Sequence, residues 1–109
     1  MAETRKILGQ VDLPTTTLTD VYTVPASTQS VVSTITFTNR SGANRTFRCS
    51  VAIGGEADTG KQYIRYEESL PKNTSYDMTL GITLGAGDIV RAYASGTNVS
   101  INIFGVEIA

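Results

Sequence analysis

The side chains equipped for covalent or acid–base chemistry are few in this chain, and they stand apart from one another. Cys49 is the single thiol, and there is no histidine to deprotonate it or a serine, so the nucleophile-and-base pair of thiol and serine hydrolases lacks its second member. One cysteine also excludes an internal disulfide and, without histidine, the usual zinc donor sets. Cys49 falls between Phe47 and Val51 on the apolar face of an alternating stretch, which is the place of a small buried hydrophobe. The carboxylates Asp12, Asp20, Glu56, Asp58, Glu67, Glu68, Asp88 and Glu107 are scattered, mainly through turns. Only Glu67 and Glu68 adjoin, and adjacent residues of an extended strand project to opposite faces, which defeats a shared proton. No residue is therefore assigned a catalytic, cofactor-binding or metal-binding role.

Two further patterns invite a binding reading. The run from Gly54 to Gly60 lacks the Gly-Lys-Ser/Thr ending of a phosphate loop, and Glu56 with Asp58 offers too few oxygens, at the wrong spacing, for a calcium loop. It reads as a solvated turn. Arg40, Arg45, Arg48, Lys61, Arg65 and Arg91 interleave with Tyr63, Tyr66 and Tyr93, as in single-strand binders. Acidic residues lie among them, however, and nine Lys and Arg against ten Asp and Glu give a net charge of -1. That balance points away from nucleic acid and acidic membranes. Arginine and tyrosine are the residues of protein contacts, and Arg45, Arg48, Tyr63 and Tyr93 are the expected contact positions. An alternative is a carbohydrate or host-surface module, with Tyr63, Tyr66, Tyr76 and Tyr93 as platforms and the Gly54 to Gly60 loop as frame.

The elements that must hold these residues are strands. Sixteen Thr and eighteen Val or Ile make about a third of the 109 residues β-branched, and period-2 alternation recurs where helical periodicity does not. Eight strands are predicted, at Lys6 to Val11, Leu18 to Val24, Val31 to Asn39, Thr46 to Ile53, Lys61 to Tyr66, Ser75 to Leu80, Ile89 to Ala94 and Val99 to Ile108. The loop Asn39 to Asn44 is expected to join the third and fourth as a hairpin. The last strand changes its apolar phase near Ile103 and Phe104, which calls for a bulge or a switch of buried face. The fold class is all-β, an antiparallel β-sandwich of about eight strands, Ig-like or jelly-roll, with a small barrel as second choice. The expected core is Val31, Ile35, Phe37, Phe47, Cys49, Val51, Ile53, Met78, Leu80, Ile101 and Ile103. Residues 1–109 fit one domain, with Met1 to Lys6 as an arm able to order on a neighbour. The short N-terminal apolar run is no signal peptide, and no stretch is long enough for a membrane helix, so synthesis in the cytoplasm is expected. The Asn-x-Ser/Thr matches at Asn39, Asn44, Asn73 and Asn98 then read as turn and edge residues.

The order of features resembles small virion structural proteins of tailed bacteriophages. The resemblance is carried by Ile7-Leu8-Gly9-Gln10, the segment Leu18 to Ala26, Thr38-Asn39-Arg40-Ser41, Tyr63-Ile64, Leu84 to Asp88 and Ile103 to Ile108. It implies a non-enzymatic capsid decoration or cement subunit, made in the host bacterial cytoplasm and residing in the virion. It also implies a tail, baseplate or fibre accessory as the alternative. Its partners would be the major capsid protein or tail proteins, together with further copies of itself, a trimer being preferred. The resemblance carries over no catalytic residue and no cofactor.

Overall fold

The β-branched, alternating sequence forms nine strands across residues 2–109, which are the residues described by the computed structural model. They are β1 (Glu3–Leu13), β2 (Thr19–Thr23), β3 (Gln29–Asn39), β4 (Arg45–Ala52), β5 (Tyr63–Leu70), β6 (Ser75–Met78), β7 (Ile82–Leu84), β8 (Ile89–Ala94) and β9 (Val99–Ile108). One sheet has the order β1-β9-β3-β6 with β7 also on β3, and the facing sheet has the order β2-β8-β4-β5. All ladders between these strands are antiparallel. The chain stays within one sheet only from β4 to β5 and from β6 to β7, and crosses between sheets at every other connection. That order is the doubly Greek-keyed jelly roll rather than an Ig-like sandwich or a barrel.

The expected β3–β4 hairpin does not form, because its two strands lie in opposite sheets. Asn39 is buried at the end of β3, and its side chain folds the connection into an arch. Its Nδ2 donates to the carbonyls of Ala43 at 2.9 Å and Leu70 at 3.0 Å, while its Oδ1 accepts from the Ser41 amide at 2.9 Å and hydroxyl at 2.7 Å. Phe37 and Phe47 then stack between the sheets with ring centroids 4.1 Å apart. Asn39 is thus an arch residue, and the Asn44 side chain caps the Lys72 amide.

The phase change near Phe104 resides in the neighbours of β9. Register shifts fall between Ile7 and Gly9 in β1 and between Val32 and Thr34 in β3, both opposite the Ile103 to Gly105 stretch. β9 itself keeps Val99, Ile101, Ile103 and Gly105 inward, so Phe104 faces out. Side-chain-free Gly105 is required here, since a Cβ would collide with the Val31 carbonyl and a Leu8 methyl. The extra residue in β3 also inverts the expected phase of its first half: Val32 is buried and Val31 points outward.

Ile35, Phe37, Phe47, Cys49, Met78, Ile101 and Ile103 are core residues as expected, and Val51 packs partly against them. Ile53 and Leu80 are not: β4 ends at Ala52 in a short 3-10 turn, β6 ends at Met78, and both side chains are left in solvent, Ile53 at 79% exposure. The core also takes Leu8, Tyr22, Leu70 and Val90. Of the expected arm Met1 to Lys6, Met1 lies outside the described residues, residues 3–6 pair with β9 as part of β1, and the Ala2 and Ala109 backbones exchange hydrogen bonds. The outward charges of β1 hid this pairing from the periodicity.

Candidate functional site

The outer face of the β2-β8-β4-β5 sheet gathers an arginine, three tyrosines and a glutamate. Cross-strand register places Arg48 of β4 opposite Tyr93 of β8. In β5 the ladder shifts between Arg65 and Glu68, and Glu67 adopts a positive φ of 51°. This irregularity turns both Tyr66 and Glu67 onto Arg48, although strict alternation would separate them. The guanidinium carbon lies 4.2 Å from the Tyr93 ring centroid and 4.6 Å from that of Tyr66, so the cation is held between two aromatic faces. Tyr63 meets Tyr66 edge-on with centroids 5.0 Å apart.

Glu67 fixes the arginine from the side. Arg48 Nε donates to Glu67 Oε1 at 2.6 Å, a second guanidinium nitrogen ion-pairs with the same oxygen, and Thr46 Oγ1 donates to Oε2 at 3.0 Å. The Arg48 hydrogen bond, followed by that of Thr46, holds the Glu67 carboxyl below the ordinary carboxylate range. The same bond raises Arg48. Tyr63 is raised by burial and by Asp58, to which its hydroxyl donates at 3.4 Å. Beside the cluster, Arg91 anchors the segment after β4 by donating to the Glu56 carbonyl at 2.8 Å, and donates to Asp20 of β2 at 2.8 Å.

Arg48, Tyr63 and Tyr93 are therefore brought together, whereas Arg45 stands apart. Arg45 packs over Gly96 and donates to the Thr97 carbonyl at 3.4 Å, tying β4 to the β8–β9 turn. Tyr66, already a candidate platform by residue type, and Glu67 complete the cluster; that both reach Arg48 was not legible in the sequence, because the signal is a bulge with no glycine to mark it. The tyrosines do not form one platform either, since Tyr76 packs against the core on the other side of the molecule, 5.3 Å from Phe47.

The arrangement is suited to contact. Its charges are matched internally, its rings are locked, and Tyr66 offers a 59% exposed surface. Cys49 lies beneath, fully buried, and burial pushes its thiol up to about 12, which leaves it no thiolate at neutral pH. Among the described residues no group of three or more Cys, Asp or Glu is placed to hold a metal ion, and no helix is long and apolar enough to cross a membrane.

No protein-family model matches the sequence, and no curated protein matches it. Among solved structures, the chain is similar to one in the structure of the Gx strain of infectious bursal disease virus, with a TM-score of 0.55 and 9% identity over 97% of this chain. A chain in the structure of the Gt strain gives a TM-score of 0.53 and 10% identity over 96%. This chain spans about a third of either, 30% and 31% of their lengths. A pentameric capsid protein isolated from metagenomic phage sequences matches 91% of this chain at 17% identity, with a TM-score of 0.35. The two virus matches establish a shared all-β sandwich fold spanning nearly the whole of this chain.

Proposed function

We propose that the protein is a non-enzymatic structural component of a virion, a decoration or cement subunit that binds a capsid shell through the Arg48, Tyr63, Tyr66 and Tyr93 face. The observation that carries this reading is the jelly-roll strand order, with the likeness to a chain of a virus structure along 97% of the sequence. Jelly rolls recur in capsid domains, where rigid small units present edges and faces to symmetric neighbours. The surface composition fits this role: the sheet face around Arg48 is rigid and self-neutralised, so a partner gains contact area without having to compensate a buried charge.

Purified subunits added to virions that lack the protein should rebind and saturate. Arg48→Glu should lower occupancy at least tenfold, because it removes the cation from between two rings and sets a carboxylate against Glu67. Arg45→Glu should leave occupancy near wild type, since Arg45 belongs to the neighbouring turn. Rebinding confined to tails or baseplates would select the tail-accessory reading, and failure of the wild type to bind any part of the particle would refute the proposal.

A further inference from the structure

The opposite outer face, on the β1-β9-β3 sheet, ends in an apolar region open to solvent. Phe104, Val106 and Ile108 alternate outward along β9, with Ile7 beside Phe104 on β1 and Val31 beside Val106 on β3. Phe104 is 37% exposed and Ile7 51%. Two charges border this region on β1: Arg5 beside Val106 and Glu3 beside Ile108. Neither is ion-paired among the described residues. Just past Ile108 a mainly apolar pocket of about 440 Å³ opens between two turns, lined by Thr28, Gln29, Ala86, Ile108 and their neighbours.

We infer that this face binds a second copy of the same chain across a two-fold axis, with Phe104 of each copy seated in the end pocket of the other. The register fixes the arrangement. Outward residues on a strand form rows every second position, roughly 6.8 Å apart. When the strands of two facing copies run in opposite directions and Arg5 of one meets Glu3 of the other, the Val106 row faces the Ile108 row. Phe104, one row back, then faces the place one row beyond Ile108, where the pocket lies. A single operation therefore creates both Arg5–Glu3 pairs and both ring-in-pocket contacts, as an isologous interface requires. The occupant is a second copy because the charges, the projecting ring and the recess are complementary to themselves at one register. The contact uses the sheet opposite Arg48 and does not depend on the virion reading.

Sedimentation equilibrium of the purified chain over a concentration series tests this. The wild type should associate to dimers. Phe104→Asp removes the ring, and Ala86→Trp fills the recess without touching the apolar rows; both positions are exposed, so circular dichroism should stay native. Each should weaken association at least tenfold. Arg5→Glu and Glu3→Arg should each weaken it about fivefold, and the two together should restore affinity to within about twofold. A wild type still monomeric at about 1 mM, a trimer or larger species, unaltered association of Ala86→Trp, or failure of the double reversal to restore binding would each overturn the inference. So would a monomer whose Phe104→Asp variant loses only a foreign partner.

Discussion

Replacing Tyr22 with Phe should destabilise the protein by about 3 kcal/mol at pH 7, and the deficit should shrink in acid. Tyr22 of β2 crosses the interior to the other sheet, where its hydroxyl donates to Glu107 Oε2 at 2.7 Å and lies 2.6 Å from Ser30 Oγ. Because the carboxylate accepts only, Ser30 donates to Tyr22. Lys6 closes the group from β1, its ammonium 3.3 Å from Glu107 Oε1. The change removes a hydrogen bond to a charged acceptor, about 1.5 to 3 kcal/mol, and leaves the fully buried Ser30 hydroxyl without its acceptor, about 1 kcal/mol more. For a domain of this size the fall in Tm is roughly 15 °C.

The pH dependence gives a second, independent readout. The Tyr22 hydrogen bond, then that of Lys6, holds the Glu107 carboxyl below its ordinary range against the opposing effect of burial. A carboxyl depressed in the folded state stabilises fully above the unfolded pKa of about 4.3 and loses that contribution as the pH falls through its folded value. The gap between wild type and Tyr22→Phe should therefore be constant from pH 7 to 5 and narrow below about pH 4. On the alkaline side burial pushes the Tyr22 phenol up to about 12, so its contribution is complete below pH 10 and lost as the pH rises toward 12. Urea unfolding followed by far-ultraviolet circular dichroism at several pH values measures both effects. A deficit under about 0.5 kcal/mol at pH 7, or one unchanged at pH 3, would show that the Tyr22–Glu107 hydrogen bond does not carry this stability.

Other outcomes follow from the same contacts. Phe47→Ala, which empties the place stacked on Phe37, should cost about 3 to 5 kcal/mol in urea unfolding. Asn39→Ala strips the arch between the sheets of its side-chain bonds and should cost about 2 to 4 kcal/mol, with an unfolding rate raised more than the folding rate is lowered if the arch forms late. Cys49 should resist a thiol-specific disulfide reagent in the native state at neutral pH and react at the rate of unfolding, which a labelling time course would register.

Period-2 alternation was enough to place β8 and β9 at the bounds the structure gives, because Ile89 to Ala94 and Val99 to Ile108 each keep one face inward without interruption. It failed where an extra residue enters a strand. The bulge at Ser33 inverted the phase of Val31 and Val32, and the apparent defect at Phe104 was the image of that bulge and of the one at Leu8 in its two neighbours. Sheet assignment was illegible for a different reason: a six-residue loop with a glycine suits a hairpin and an arch alike, and the choice is made by Asn39 reaching a carbonyl as distant in sequence as Leu70. Strand β7 was lost because Ile82 to Leu84 is too short to show a period. Around Arg48, residue type alone pointed to Arg45, Arg48, Tyr63 and Tyr93, of which the fold brings the last three together. The addition of Tyr66 and Glu67, and the separation of Arg45, depend on a left-handed residue inside β5 and on a turn contact.

Whether this chain is a structural part of a virion bound through the Arg48 face can be decided by a cryo-electron-microscopy reconstruction of purified particles. Density for the jelly roll is expected at regular positions on the shell, with Tyr66 and Tyr93 against a shell protein and with particles of an Arg48→Glu strain lacking that density. Particles that contain no copy of the chain, or copies held with the Arg48 face turned to solvent, would contradict this expectation.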